Sequence, residues 1–453
     1  MTAALPTISA LVRDLASGKT TSRQLVEDCL ARIADPKGEG ARAFVAVHAD
    51  AARLAADAMD ALRKAGAAPS PLAGIPVAVK DLADMKGQVT TAGSTALADR
   101  PPAEADAPVV ARMRAAGLVV VGRANMVEFA YGGIGTNPHY GTPAAPWDRA
   151  NRHVPGGSSS GSAVAVADGM AHGALGTDTG GSCRIPAAYC GVTGLKPTAR
   201  RVPTSHVVPL STSLDSIGPI ARTVDCCALL DGVFAGEPIA AAKPVPLAGL
   251  RLLVPTNIVL DAMDPAVARD FEATLERLAA AGAIIVRETF APFEMVRGVL
   301  NKGGLSAAES YAWHKEVFAS KRNQYDPRVA MRIAMGETQS AADYIELLAR
   351  REAAKTAYAE GLADVDAILS PTCPILPPKE ADLVKDEDYT RLNMLSLRNT
   401  LMINVFDGCS IALPMSAPGA PPTSLMISCG AMADRRMLGI AKSIETALTS
   451  RNT

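Results

Sequence analysis

The sequence predicts an α/β protein, with a buried β-sheet layered by helices in one large domain. Three observations lead there. Short β-branched runs alternate with helix-length amphipathic stretches. The 453 residues are 48% apolar and 20% charged, enough for an extensive core. No break in composition reads as a linker, and no repeat of about 20–50 residues interrupts the chain.

Taken in order, the elements justify that reading. Thr21 and Gln24 have capping-box spacing ahead of "RQLVEDCLARI", which has helical periodicity. The alanine-rich stretch 51–65 reads as a second helix. "GIPVAVKD" (74–81) is a short β-branched run opened by Gly-Ile-Pro and closed by an acid, the pattern of a buried strand. A helix over 106–116 leads into the strand "GLVVVGRAN" (117–125). Residues 155–194 then hold ten of the 37 glycines, which implies backbone in close approach to something. From Val245 the alternation resumes: "GLRLLVPTN" as strand, "VARDFEATLERLAAAG" as helix and "AIIVRETF" as strand. "VDAILSPTCPILPP" (365–378) is a strand ending in a proline-rich loop, and "DGCSIALP" (407–414) is another strand.

Composition excludes several functions. Lys plus Arg (45) nearly balance Asp plus Glu (46), so there is no basic footprint for nucleic acid or an anionic membrane. Aromatic residues, at 4%, are too few for a base-stacking platform. Arg13 and Asp14 interrupt any hydrophobic signal core, and no apolar run approaches the roughly 18 residues of a membrane span. The eight cysteines are scattered without a C-x-x-C pair, as expected of buried or free thiols in a reducing cytoplasm. The six histidines form no ligand-spaced cluster, so neither a metal nor an organic cofactor is expected.

The stretch "PGGSSSGSAVAVADG" (155–169) admits several chemistries. Gly156 to Gly161 has phosphate-loop spacing, but Ser162-Ala163 stands where Lys-Ser/Thr is needed. Gly157 to Gly161 matches the nucleophile elbow G-x-S-x-G around Ser159, with His206 or His314 as nominal bases. A plain Gly/Ser turn would also produce the pattern. It would not explain "GTDTGGSCRIPAAYCGVTGLKPT" (176–198), which follows closely.

These two stretches, with "GIPVAVKD" upstream, closely resemble the amidase signature family, whose members read G-I-P-x-x-V-K-D, G-G-S-S-G-G-S and D-T-G-G-S-x-R-x-P-A, then C-G-x-x-G-x-K-P-T. The resemblance implies a single domain over 1–453 with a mixed central β-sheet covered by helices on both faces. Its parts would be N-terminal helices over about 5–70, a signature core over about 71–225 and a C-terminal α/β part over about 245–453. It also implies an amidohydrolase acting on linear carboxamides, with Ser182 as nucleophile, Ser158 as a bridging serine after a cis peptide bond, and Lys80 as base. Thr179, Gly180 and Gly181, with the Ser182 N–H, would form the oxyanion hole. Asp178 and Arg184 would pair to hold the loop, and Lys196 would be structural. "NMVEFAYGG" (125–133) resembles the segment lining the family's cleft, which nominates Met126, Tyr131, Gly132 and Gly133 for substrate contact and leaves Phe129 to the core. Cys183 would be packing.

The chemistry of such a set is coherent. A serine hydroxyl needs a base, and no histidine lies in the motif. Lysine has a reference pKa of about 10.4, so a neutral amine at pH 7 costs roughly 4–5 kcal/mol unless its site shifts it. A dry pocket at the end of an apolar strand supplies such a shift.

Two departures stand out. Ser160 replaces the commoner glycine of G-G-S-S-G-G-S, which leaves Ser158 untouched. After the last expected strand, many members have G-L-P-x-G-x-Q where this chain has "APPTSLMISCG" (420–430). That favours a free-standing amidase, releasing ammonia or an amine, over the glutaminase-type component of a glutamyl-tRNA amidotransferase complex. The expected partners are a small-molecule amide and, at most, a second copy of the chain in a homodimer, with no direct contact to nucleic acid or membrane.

Overall fold

The computed structural model describes residues 5–449, so the outermost positions of the expected 1–453 domain lie outside the described residues. Eleven strands form one sheet: β1 Phe44–Val47, β2 Pro76–Lys80, β3 Val119–Ala124, β4 Gly173–Asp178, β5 Thr193–Lys196, β6 Ser216–Ala221, β7 Arg251–Pro255, β8 Ile284–Glu288, β9 Ala367–Pro371, β10 Cys409–Pro414 and β11 Ser424–Cys429. Their order is β1-β3-β2-β4-β6-β5-β10-β11-β9-β7-β8. The β3-β2-β4 and β9-β7-β8 runs are parallel, and the remaining pairs are antiparallel. The sheet is mixed, as the family resemblance implied.

Alternation along the strands shows that both faces are covered. Val77 and Val79 of β2 join one apolar cluster with the helices Ile8–Ala16, Pro108–Ala115 and Val224–Ala235. Ala78, between them, joins a second cluster with the helices Ser22–Ala34, Ala49–Lys64 and Ser160–Ala167. The same split recurs at the far end, where Leu252 and Val254 of β7 face the first cluster and Leu253 a third. Among the described residues no helix is long and apolar enough to cross a membrane.

Local signals account for the elements that were expected. Thr21 Oγ1 caps Ser22–Ala34 by accepting from the Gln24 N–H at 3.1 Å. The reciprocal half of the capping box is missing, because the Gln24 amide turns to Asp28 instead. All eight cysteines are buried free thiols. One expectation needs correcting: the divergent stretch 420–430 does not follow the last core strand. It contains β11, which pairs in register with β10 from Cys409 opposite Cys429 to Pro414 opposite Ser424.

Candidate active site

The site lies where β2 and β4 end side by side, in parallel register from Val77 opposite Gly173 to Val79 opposite Leu175. Lys80 is the last residue of β2 and fully buried. The strand end is pinned by its neighbour Asp81, which takes a buried ion pair from Arg123 at 2.6 Å and accepts the Gly93 N–H at 3.1 Å. Lys80 Nζ lies 2.7 Å from Ser158 Oγ and 2.8 Å from Thr177 Oγ1 on β4. Burial pushes its pKa down to about 7, against the opposing pull of Cys183, Asp178 and Asp215. A neutral amine has one lone pair and two N–H groups. With one N–H given to Thr177, the lone pair can face the Ser158 hydroxyl.

The peptide bond between Gly157 and Ser158 is cis. Ser158 itself is buried, and its carbonyl accepts the Val127 N–H at 3.0 Å. One residue on, the Ser159 N–H donates to the Ser182 carbonyl at 3.3 Å, which ties the two serine loops together. Ser182 is 3% exposed, and its hydroxyl has no hydrogen-bond partner among the described residues. Ser159 Oγ instead faces the backbone of Thr177. Neither nominal elbow base is near it: His206 is exposed beside Asp84, and His314 Nδ1 meets the Tyr325 hydroxyl at 3.0 Å. Cys183 packs behind the turn with its thiol pushed well above its usual range by burial.

Asp178 at the end of β4 organises the turn that carries Ser182. Its carboxylate pairs with Arg184 at 2.8 and 3.1 Å, and both residues are fully buried. It also accepts the N–H groups of Gly181 at 2.9 Å and Cys183 at 3.0 Å. Burial opposes its ionisation, yet Arg184, Lys196 and Asn404 outweigh that and hold its pKa down to about 2. Lys196 Nζ meanwhile donates to the carbonyls of Pro197 and Gly408, the structural role expected of it.

This arrangement corrects the expected oxyanion donors. The Gly181 N–H points inward to Asp178 and is not available to a ligand. The N–H groups of Thr179, Gly180 and Ser182 remain without an acceptor among the described residues. Gly181 is still required for the turn: its φ is +133°, and a Cβ there would strike Thr400.

The residues nominated for substrate contact separate. Met126 is a correction: it is buried in the core beneath the loop, with its carbonyl taken by Asn137. Phe129 packs among Trp313, His314 and Tyr325, as expected. Tyr131 is half-buried, its carbonyl accepts from Arg332 at 2.7 Å, and burial raises its phenol to about 12. Gly132 is buried against Tyr389 and Val127. Gly133 stands nearest the serines, since its carbonyl accepts the Gly157 N–H at 2.8 Å.

The sequence reading missed four contributors. Thr177 holds Lys80. Asn404 joins Asp178 and Arg184 at 2.9 and 2.6 Å, and Thr400 Oγ1 binds the Gly180 carbonyl at 2.6 Å. Both sit on the helix Asp386–Val405. Asp215 accepts the Thr179 hydroxyl and the N–H groups of Leu210 and Ser211. Burial pushes its pKa up to about 6 against those bonds. Asp215 and Thr179 line a cavity of about 480 Å³ whose floor includes Thr177.

Residues 24–438 match the Amidase family, and the chain belongs to it. It is an amidohydrolase of that family. A 2-amino-5-chloromuconic acid deaminase from Comamonas testosteroni is 40% identical over 88% of this chain and 86% of that protein. The A-type subunit of the glutamyl-tRNA(Gln) amidotransferase from Chloroflexus aggregans is 34% identical over 94% of this chain and 90% of its own length. A crystal structure of an amidase superposes with a TM-score of 0.88 at 31% identity, over 97% of this chain and 99% of that one.

Proposed function

We propose that the chain hydrolyses a linear carboxamide through an acyl-enzyme on Ser182, with Lys80 as base acting through Ser158. The observation that carries the reading is the buried Lys80 amine, 2.7 Å from Ser158 Oγ, beside a serine loop tied to Ser182. Neutral Lys80 takes the Ser158 proton while Ser158 takes that of Ser182, and Ser182 Oγ bonds to the carbonyl carbon. The Ser158–Ser182 link closes when substrate is bound, as catalytic hydrogen bonds often do. The N–H groups of Thr179, Gly180 and Ser182 receive the oxyanion, each such donor being worth about 3–4 kcal/mol. The proton then returns from Lys80 through Ser158 to the leaving nitrogen, and ammonia or an amine departs. Water attacks the ester by the same relay and releases the acid.

The test is ammonia release from a panel of aliphatic, aromatic and urea-type amides, with Ser182→Ala alongside. A Ser182→Ala enzyme that keeps its turnover would end this reading. We place the enzyme in the cytoplasm, as a monomer or homodimer that works without a metal. The similarity to a glutamyl-tRNA(Gln) amidotransferase component supports a second reading, in which the same chemistry feeds a partner protein. Purified alone, such a component is nearly silent, whereas a free-standing amidase turns over simple amides.

A further inference from the structure

We infer that Trp313 is the specificity-determining wall of the acyl pocket and that the preferred substrates are primary carboxamides of short, uncharged acyl groups. The inference rests on the reading that Lys80, Ser158 and Ser182 are the reacting set. For a primary amide the leaving group is ammonia, which fills no pocket, so the acyl group must occupy the adjoining space.

That space is the cavity of about 480 Å³ floored by Thr177 and Thr179, within the usual size for a small-molecule site. Thr177 is the hydroxyl bonded to Lys80 at 2.8 Å, so the cavity begins one side chain from the base. Half of its lining residues are apolar, among them Leu82, Ala130, Leu210, Ile217 and Trp313, and the rest are hydroxyl side chains with His206 and Asp215. A second cavity of about 560 Å³ adjoins it, lined by Arg100, Pro101, Pro102 and Glu104. His206, Val207, Val208 and Trp313 line both. Trp313 is the largest of these shared side chains, and it forms part of the boundary between the two cavities.

The indole is held in place from several sides. The Arg100 guanidinium sits 4.9 Å above its ring, and Arg100 makes no ion pair among the described residues. His314 packs edge-on at 4.6 Å between ring centroids, and Phe129 lies at 6.5 Å. The helix that carries it, Gly304–Lys321, is fastened by Glu309, which accepts from Ser211, Ser213 and Tyr344. The wall therefore cannot recede to admit a longer chain.

No lysine or arginine lines the inner cavity to meet a carboxylate at the acyl end. Asp215 is occupied by Thr179, Leu210 and Ser211, and His206 faces Asp84 at 3.5 Å. Arg100 lies across the indole, on the outer side.

The experiment measures kcat/KM by ammonia release for propionamide, butyramide, hexanamide, octanamide and succinamate, using wild type, Trp313→Ala, Trp313→Phe and Arg100→Ala. The hexanamide-to-butyramide ratio should rise about tenfold or more in Trp313→Ala, the scale of one or two methylenes in a pocket. It should rise less in Arg100→Ala, where only the clamp is lost, and the change should lie mainly in KM. An unchanged ratio in a folded Trp313→Ala enzyme overturns the inference. If that variant fails to fold, unchanged ratios in both Trp313→Phe and Arg100→Ala overturn it. Wild type that prefers succinamate to butyramide also overturns it. If the wild type hydrolyses none of the amides and Ser182 takes no fluorophosphonate label, the parent reading fails too. Normal labelling with unshifted ratios fails this inference alone.

Discussion

Lys80 carries the strongest perturbation among the groups assigned to the reaction. Its ammonium is driven toward neutrality by burial, with a pKa of about 7. The neutral, active form therefore grows as pH rises, and kcat/KM should climb through about 7 and level off above it. The titration belongs to the coupled Lys80–Ser158–Ser182 set. Stability follows the same sign. Between the unfolded lysine value of about 10.4 and the folded value the unfolded chain binds the extra proton, so stability falls with decreasing pH across that window. Lys80→Met should flatten that part of a urea-midpoint-against-pH plot. Lys80→Ala should lose about 10²–10⁴-fold in rate, and Lys80→Arg should stay inactive because a guanidinium remains protonated. A folded Lys80→Arg enzyme with near-normal turnover would remove Lys80 from the base's role. The two central serines separate by labelling: Ser182→Ala should abolish fluorophosphonate modification, while Ser159→Ala keeps both label and much of the activity. Lys80, Ser158, Ser182, Asp178 and Arg184 were legible because each lies inside a contiguous motif. Thr177 was not, since only the pairing of β2 with β4 brings it to Lys80.

The turn between β4 and the helix Arg184–Cys190 behaves as one element. Asp178 accepts from Arg184, Gly181, Cys183 and Asn404, all without solvent. Removing one partner of a buried ion pair leaves the other charge unpaired, which typically costs about 3–5 kcal/mol. Arg184→Ala should therefore unfold at markedly lower urea. Asn404→Leu should cost less stability, because Arg184 remains, yet should slow turnover by loosening the Thr179–Ser182 donors. Loss of stability without loss of kcat in Asn404→Leu would deny the turn this role. The elements themselves were unevenly legible. β2, β3, β7, β8, β9 and β10 carry short runs of Val, Ile, Leu or Ala and stood out. β4 (GALGTD), β5 (TGLK) and β6 (SIGPIA) are rich in glycine and small residues, so they lack that signature although every residue in them is buried. The helix Asp386–Val405 escaped for a related reason. Its buried stripe is largely polar, with Asn393, Ser396, Asn399, Thr400 and Asn404, so apolar periodicity misses it. Thr400 and Asn404 reach the Ser182 turn, whereas Asn393 accepts the Gly133 N–H and Asn399 donates to the Val259 and Pro371 carbonyls.

The whole molecule is joined across the middle of its sheet. β5, from the signature stretch, pairs with β10, from the C-terminal half, through Lys196 opposite Ser410, Leu195 opposite Ile411 and Gly194 opposite Ala412. Buried polar contacts cross the same line: Lys196 to the Gly408 carbonyl, Thr400 to the Gly180 carbonyl, and Arg184 to Asn404. Separating the halves would strand each of these groups without water, at about 1–3 kcal/mol apiece. Chains of this length often unfold through intermediates, one part at a time. Here the seam argues for a single transition. The chain's two tryptophans report on it, since Trp147 precedes the seam in sequence and Trp313 follows β5 and β6. In urea, Trp147→Phe and Trp313→Phe enzymes, each with one remaining indole, should lose native fluorescence with the full loss of far-ultraviolet ellipticity, each at its own single midpoint. Ammonia release by Trp147→Phe should disappear at that same midpoint, because the Ser182 turn is held from both sides of the seam. Fluorescence of the remaining Trp147 lost well after half the ellipticity has gone would show that the halves unfold separately. In that case the contacts of Asn404 and Thr400 would be adjustable rather than obligatory, and the Ser182 turn would owe its shape to the signature stretch alone.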